Sequence, residues 1–325
     1  MENFGLFRRQ RRAAQLAAKI PENIRNSVVL KLDRAGFGDQ FRSFAMLWNI
    51  VGTPDIFIDV SRFLIAPRDS FDPIDPADLP RLLSRDFYRA FELFDYDIMP
   101  FVRSRHIKFV SFPKHVSEYF FHTGRYDVFK VIDGNTPIIA PRMFNISFLD
   151  IERPCKYRDE IRKTFKFIGG TNDANRRKLA EIRGCENSIC MHIRRGDFIK
   201  HMHGRTIRAE YFSNAIHEIV GAYGIRPPNE ISPGVCHTPL QAKSTVFVFS
   251  EDIEWARQNI DFNLPNVTVD FVNINDSRHP AREIELMRAC KNYIVSLGYF
   301  AQTAAFLNDG NPIIIHPTGK DYCKV

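Results

Sequence analysis

The chain has 325 residues, 44% of them hydrophobic and 26% charged, which excludes a disordered or fibrous architecture and leaves room for two lobes of ordinary size. Its 45 Lys and Arg against 38 Asp and Glu give a formal charge of +7, a sign that suits nucleic acid, an anionic membrane or a phosphorylated ligand without choosing among them. The cysteines, Cys155, Cys185, Cys190, Cys236, Cys290 and Cys323, form no CxxC pair and no Cys–His cluster at metal-ligand spacing, which argues against a zinc site and leaves disulfides or buried thiols as alternatives.

Residues 1–26 read as a basic arm in which Arg8, Arg9, Arg11, Arg12 and Lys19 crowd the start opposite Glu2; a solvated helical tail is favoured there over a targeting peptide. No apolar stretch approaches the ~18 residues needed to span a bilayer, so no anchor is expected in the sequence as written. Residues 27–160 begin with the strand SVVLKL, a Gly loop holding Gly36 and Gly38, and a helix over QFRSFAMLWNIV. A second strand, DIFIDV, follows, and the Pro- and Asp-rich stretch from Pro67 to Pro80 reads as a loop. Helical spacing from Leu82 to Phe94 and strands near Ile107 and at Pro137–Ala140 continue an α/β lobe. Periodicity fades between Arg153 and Arg183, so residues 161–186 are expected to bridge two domains.

Residues 187–325 are clearer. Five strand-like runs, SICMHI, STVFVFS, VTVDFV, NYIVS and PIIIH, alternate with helical patterns that begin near Arg208, Asp252, Ala281 and Phe300, and such alternation argues for a parallel sheet. The Pro-rich run IRPPNEISPGVCHTPLQAKS between the first helix and the second strand reads as a surface insertion. Sequons at Asn145, Asn266 and Asn275 lean towards a luminal setting.

The segment richest in chemistry is HIRRGDF, His192 to Phe198, where the first strand of this half runs out. Ligands of parallel sheets bind at the carboxyl ends of strands, and the planar fork of arginine suits a diphosphate because it donates parallel hydrogen bonds while keeping its charge. Arg194 and Arg195 are therefore candidate phosphate ligands, Gly196 would let the backbone approach a ligand, and Asp197 would hold an arginine or take a proton. An exposed basic loop with a self-satisfied Arg–Asp pair is the plainer alternative. The tripeptide Arg195-Gly196-Asp197 also spells an adhesion motif, but a strand end beside a sheet is a poor place to display one.

HIRRGDF resembles the HxRRGD signature of the α-1,2-fucosyltransferase family. The stretch FVFSEDIEWARQNI is similar to that family's strand and helix, with Ser250, Glu254, Trp255 and Asn259 in place. ELMRACKNYIVSLGYFAQTAAFL resembles a third block through Cys290, Ile294, Gly298, Phe300, Ala304, Ala305 and Leu307. GFGDQFRSFA resembles a fourth through Gly36, Gly38, Gln40 and Ala45. The order of these blocks along the chain matches the family's.

The resemblance implies an α/β fold of two Rossmann-like domains facing across a cleft, the GT-B-like arrangement, with the nucleotide held mostly by the second. It implies inverting transfer of L-fucose from GDP-fucose to the 2-hydroxyl of a galactose-terminated glycan, with no metal and no other cofactor, and a Golgi setting that needs a membrane segment not visible here. His192, Arg194, Arg195, Ser250, Glu251, Asp252, Ser296, Gly298, Tyr299 and Phe300 become candidate donor contacts. Gly36, Gly38, Asp39 and Gln40 become the cleft's Gly loop. Asp197, Glu251, Asp252 and Glu283 are candidate bases, with Arg195 and Asp197 placed nearest the chemistry, and His192 is expected to pack rather than to take protons. Tyr299, Ala301, Gln302 and Thr303 depart from the family pattern, as does Asp39, which favours a helix start but repels a nearby phosphate. A catalytically silent GDP- or carbohydrate-binding protein on the same scaffold is thus the alternative. Nucleic-acid binding is not expected, since no known motif for it is present.

Overall fold

The computed structural model describes residues 15, 18, 20–22, 28–31, 37–50, 56–66, 71–84, 96–113, 138–140, 156–224, 243–276 and 279–324. Most of the basic arm, Gly36, Asn145 and the helical spacing expected beyond Ser84 lie outside them. The chain divides into two compact units, Met1–Ile168 and Gly169–Val325, and both are α/β with parallel sheets, the class read from the sequence.

In the first unit, strands β1 (Val28–Lys31), β2 (Ile56–Asp59), β3 (Asp72–Ile74), β4 (Ile107–Ser111) and β5 (Ile138–Ala140) lie in the order β3-β4-β2-β1-β5. All pairings are parallel except β3–β4. Helix α1 (Phe37–Ile50) presents Phe37, Phe41, Phe44 and Trp48 at helical spacing, all buried. Phe165, just past a helix at Arg158–Thr164, packs edge-on against Phe41 at 4.9 Å between ring centroids. Gly38, Asp39 and Gln40, expected in a Gly loop, instead lie within α1, which begins at Phe37; Gly38 is buried and Gln40 is 1% exposed.

One further expectation is corrected here. The stretch 67–80 is not simply a loop, because Asp72–Ile74 pairs antiparallel with β4 and a helical turn follows at Leu79–Leu82. Proline is tolerated in this strand because β3 lies at the sheet edge. The bridge expected over 161–186 is largely helical, with the unit boundary falling between Ile168 and Gly169. The helix Asp173–Gly184 buries only Asn175 and Ile182, so it shows little apolar period.

The second unit carries β6 (Asn187–Ile193), β7 (Arg205–Ile207), β8 (Ser244–Ser250), β9 (Val267–Val272), β10 (Asn292–Ile294), β11 (Ile314–Ile315) and β12 (Tyr322–Lys324). Its main sheet runs β11-β10-β6-β8-β9, parallel throughout. β7 and β12, which the apolar patterns did not reveal, form a separate antiparallel pair. β6 is buried along its whole length, as expected of a central parallel strand with both faces covered. Ile189, Met191 and Ile193 join Phe212, Ile216, Ile219 and Ala256 in one core cluster.

At the amino edge of this sheet a buried side-chain ladder joins three strands and the residue before β11. Asn187 Nδ2 donates to Ser244 Oγ at 2.8 Å, Asn292 Nδ2 to Asn187 Oδ1 at 2.9 Å, and the Ile313 amide to Asn292 Oδ1 at 3.0 Å. The sequons differ in their surroundings: Asn266 is exposed, whereas Asn275 exchanges amide hydrogen bonds of 2.8 and 3.0 Å with the buried Asn175.

Candidate functional site

From β6 the chain of the second unit moves outward through β8 and β9, then returns to the other side of β6 for β10 and β11. A doubly wound sheet binds its ligand where the winding reverses, outside the carboxyl ends of the strands. That point lies between β6 and β10. The residues leaving β6 there are Arg194 to Asp197, and those leaving β10 are Val295 to Phe300.

The two segments are joined. The Arg194 amide donates to Ser296 Oγ at 2.8 Å, and that oxygen lies 3.5 Å from His192 Nδ1. The His192 ring also packs on Phe300, with centroids 5.8 Å apart. Burial, reinforced by the Arg194 charge, pushes the His192 imidazole down to about 3, so it is neutral at physiological pH and unsuited to binding a proton there. Ser296 is 3% exposed, and it fastens the loop.

The paired arginines face different surroundings. Arg194 is half-buried; its Nη1 donates to Glu251 Oε1 and its Nη2 to Asp197 Oδ1, both at 2.6 Å. Arg195 is 7% exposed. Its Nε donates to Asp252 Oδ2 at 3.2 Å, its Nη1 to Thr206 Oγ1 at 3.4 Å, and its guanidinium carbon lies 3.9 Å from the centre of the Trp255 ring. Such stacking combines cation–π attraction with planar contact. Arg195 therefore ties the loop after β6 to β7 and to the helix Ile253–Asn259, while Arg194 stands half-buried where the winding reverses.

The end of β8 completes the arrangement. Ser250 Oγ donates to the Ile193 carbonyl at 3.0 Å and accepts from the Asp252 amide at 2.9 Å. Asp252 caps the helix that follows, its Oδ1 accepting from the Trp255 amide at 3.1 Å. Gly196 has φ +25°, and a Cβ there would fall 2.7 Å from Glu251 Oε1 and 2.9 Å from its Cγ. The glycine thus permits the close approach of the Glu251 side chain.

Past β10, Gly298 turns the chain with φ +85° into the helix Phe300–Leu307. The departure at Thr303 has a local explanation: its hydroxyl donates to the Tyr299 carbonyl at 2.8 Å, four residues back. Tyr299 itself occupies the position before the first helical residue and is half-buried. Glu283, in the first turn of the helix Pro280–Arg288, is pushed up to about 7 by burial and by the charge of Glu251.

The structure therefore brings His192, Arg194, Arg195, Asp197, Ser250, Glu251, Asp252, Ser296 and Phe300 together, with Gly298 and Tyr299 at the adjoining turn. Thr206 and Trp255 also belong to this constellation; the sequence offered Trp255 as a family match but gave no signal for Thr206, whose role depends on where β7 returns. Gly38, Asp39 and Gln40 belong to the first unit, where the winding reverses between β1 and β5. Among the described residues no group of three or more His, Cys, Asp or Glu is placed to hold a metal ion, and no helix is long and apolar enough to cross a membrane.

Residues 237–322 match the family model described as Glycosyl transferase family 11. The match covers β8 to β11 and the Ser250–Asp252 and Ser296–Phe300 segments, and it bears out the resemblance drawn from the sequence; HIRRGDF lies before its start. The O-antigen biosynthesis glycosyltransferase WbnK of Escherichia coli is 29% identical over 140 residues, 41% of this chain and 39% of WbnK. The alignment thus spans about two fifths of that relative's length. Among solved structures, the fucosyltransferase NodZ from Bradyrhizobium aligns over 92% of this chain and 98% of its own at 15% identity and a TM-score of 0.43. POFUT1 in complex with GDP aligns over 91% and 99% at 10% identity and a TM-score of 0.39.

Proposed function

We propose that the chain is a metal-independent glycosyltransferase that moves L-fucose from GDP-fucose to the 2-hydroxyl of a terminal galactoside with inversion. The observation that carries this reading is the half-exposed Arg194 at the reversal of the second sheet, within an HxRRGD segment and next to the region that matches glycosyl transferase family 11. The acceptor hydroxyl attacks the anomeric carbon and gives up its proton to a carboxylate or to water, the bond from that carbon to the β-phosphate oxygen breaks, and GDP departs with its developing charge offset by Arg194. Arg195 contributes by holding the loop on which Arg194 stands. The turn from Ser296 to Phe300 belongs to the phosphate side of this reading. The sequons and a Golgi setting belong to the same proposal, and Asn266 is the described sequon whose surroundings fit a glycan.

The test is incubation with GDP-fucose and a panel of galactose-terminated glycans in the presence of a chelator, followed by mass spectrometry and linkage analysis by NMR. A fucose-sized gain on the galactose 2-hydroxyl supports the full reading. A gain at another hydroxyl keeps the fucosyltransferase and overturns the linkage. GDP binding without transfer to any acceptor identifies the silent scaffold, and absence of GDP binding overturns the donor.

A further inference from the structure

We propose that Glu251 is a positioning residue for Arg194: with Asp197 it fixes the guanidinium plane so that the remaining N–H groups face the diphosphate. This rests on the reading of Arg194 as the diphosphate ligand. A guanidinium carries five N–H donors in a rigid fork. The bonds to Glu251 and Asp197 engage one hydrogen on each Nη and leave the Nε–H and the other Nη hydrogens for an anion.

The two carboxylates are not equivalent. Asp197 lies three residues from Arg194 and its side chain is 62% exposed, so its hold is local and screened by water. Glu251 arrives from the end of β8, 57 residues away in sequence, with a side chain 33% exposed. It is wedged against Gly196, where any larger residue would collide with it. The strand end, the glycine and the carboxylate thus form one interlocked unit that aims the arginine. A diphosphate ligand held in a fixed plane binds without first losing side-chain freedom, which is where preorganisation gains affinity.

The experiment compares Glu251→Ala, Glu251→Gln and Arg194→Ala by calorimetric GDP binding, steady-state kinetics with GDP-fucose and thermal melting. Glu251→Ala is expected to raise the donor KM and the GDP Kd about tenfold or more with little change in Tm, while Glu251→Gln, which keeps an acceptor oxygen, is expected to recover most of that loss. A merely structural glutamate would lower Tm and the active fraction and leave KM unchanged. If Arg194→Ala loses GDP binding while Glu251→Ala keeps the parental KM and Kd, the positioning role is overturned and the diphosphate reading stands. If Arg194→Ala binds GDP as the parent does, the diphosphate reading itself falls, and the positioning role with it. Should Glu251→Ala fail to fold, Glu251→Met, which keeps the bulk but no acceptor for Arg194 Nη1, takes its place: an unchanged donor KM overturns the proposal, and a raised KM at parental Tm supports it.

Discussion

The two edges of the second sheet are built from the same strands and do opposite things. At the amino edge, Asn187, Ser244 and Asn292 are 0–1% exposed and bond mainly to one another. The groups are neutral, and their polar atoms are spent on joining strands. At the carboxyl edge, the continuations of β6, β8 and β10 carry charges, positive-φ glycines and a half-exposed guanidinium. A satisfied polar network specifies strand register and exposes nothing to a ligand. A network closed on one side and open on the other keeps donors in reserve. On the proposed reading stability and chemistry are separated along one strand length, and substitutions at the two edges should show different signatures.

The largest effect is expected at the open edge. Arg194→Ala should lower kcat/KM for GDP-fucose by about 10² to 10³, the range for losing a donor aimed at developing charge, with thermal stability nearly parental. Arg195→Ala should reverse that emphasis. Removing a buried cation from Asp252, Thr206 and the Trp255 face should cost about 3 kcal/mol in a denaturant titration, with any activity loss following from a loosened loop. Equal loss of stability in the two variants would erase the distinction drawn between them.

Next in size is the closed edge. Asn187→Ala strands the Asn292 amide and should cost about 1–3 kcal/mol, while the folded fraction keeps the parental KM. A changed KM there would show that the edges are coupled.

The smallest effect is in pH. His192, lowered to about 3 from 6.5, contributes stability that is complete above pH 6.5 and lost as pH falls towards 3, because the unfolded chain takes up its proton first. Glu283, raised to about 7 from 4.5, contributes stability that is complete below pH 4.5 and lost as pH rises towards 7. Between pH 4.5 and 6.5 the two slopes oppose, so stability should be nearly flat there. Glu283→Gln should leave a decline towards acid of about 1.4 kcal/mol per pH unit or less. Urea unfolding at pH 5 and pH 6.5 measures this, and superimposed profiles for variant and parent would remove Glu283 from the account.

Much of this was legible along the chain. The strand runs of the second unit and the helix α1 were visible because alternation and 3.6-residue spacing are local properties of a sequence that must bury one face. HIRRGDF could be placed at a strand end because a buried run stops at Ile193 and charges begin. The helix Asp173–Gly184 escaped notice because it buries too little to show a period, and β7 and β12 because three-residue strands carry no pattern.

The sequence by itself thus determined the α/β class, the chemistry available at the end of β6 and the family it resembles. Only the tertiary structure decided which of two adjacent arginines is buried, that the Glu251 side chain lies against Gly196, and that Thr206 and Trp255 enclose Arg195. The reason is physical: backbone periodicity is fixed within a few residues, whereas the partner of a side chain at a strand end depends on the order of strands in the sheet, which brings together residues 57 or 102 positions apart.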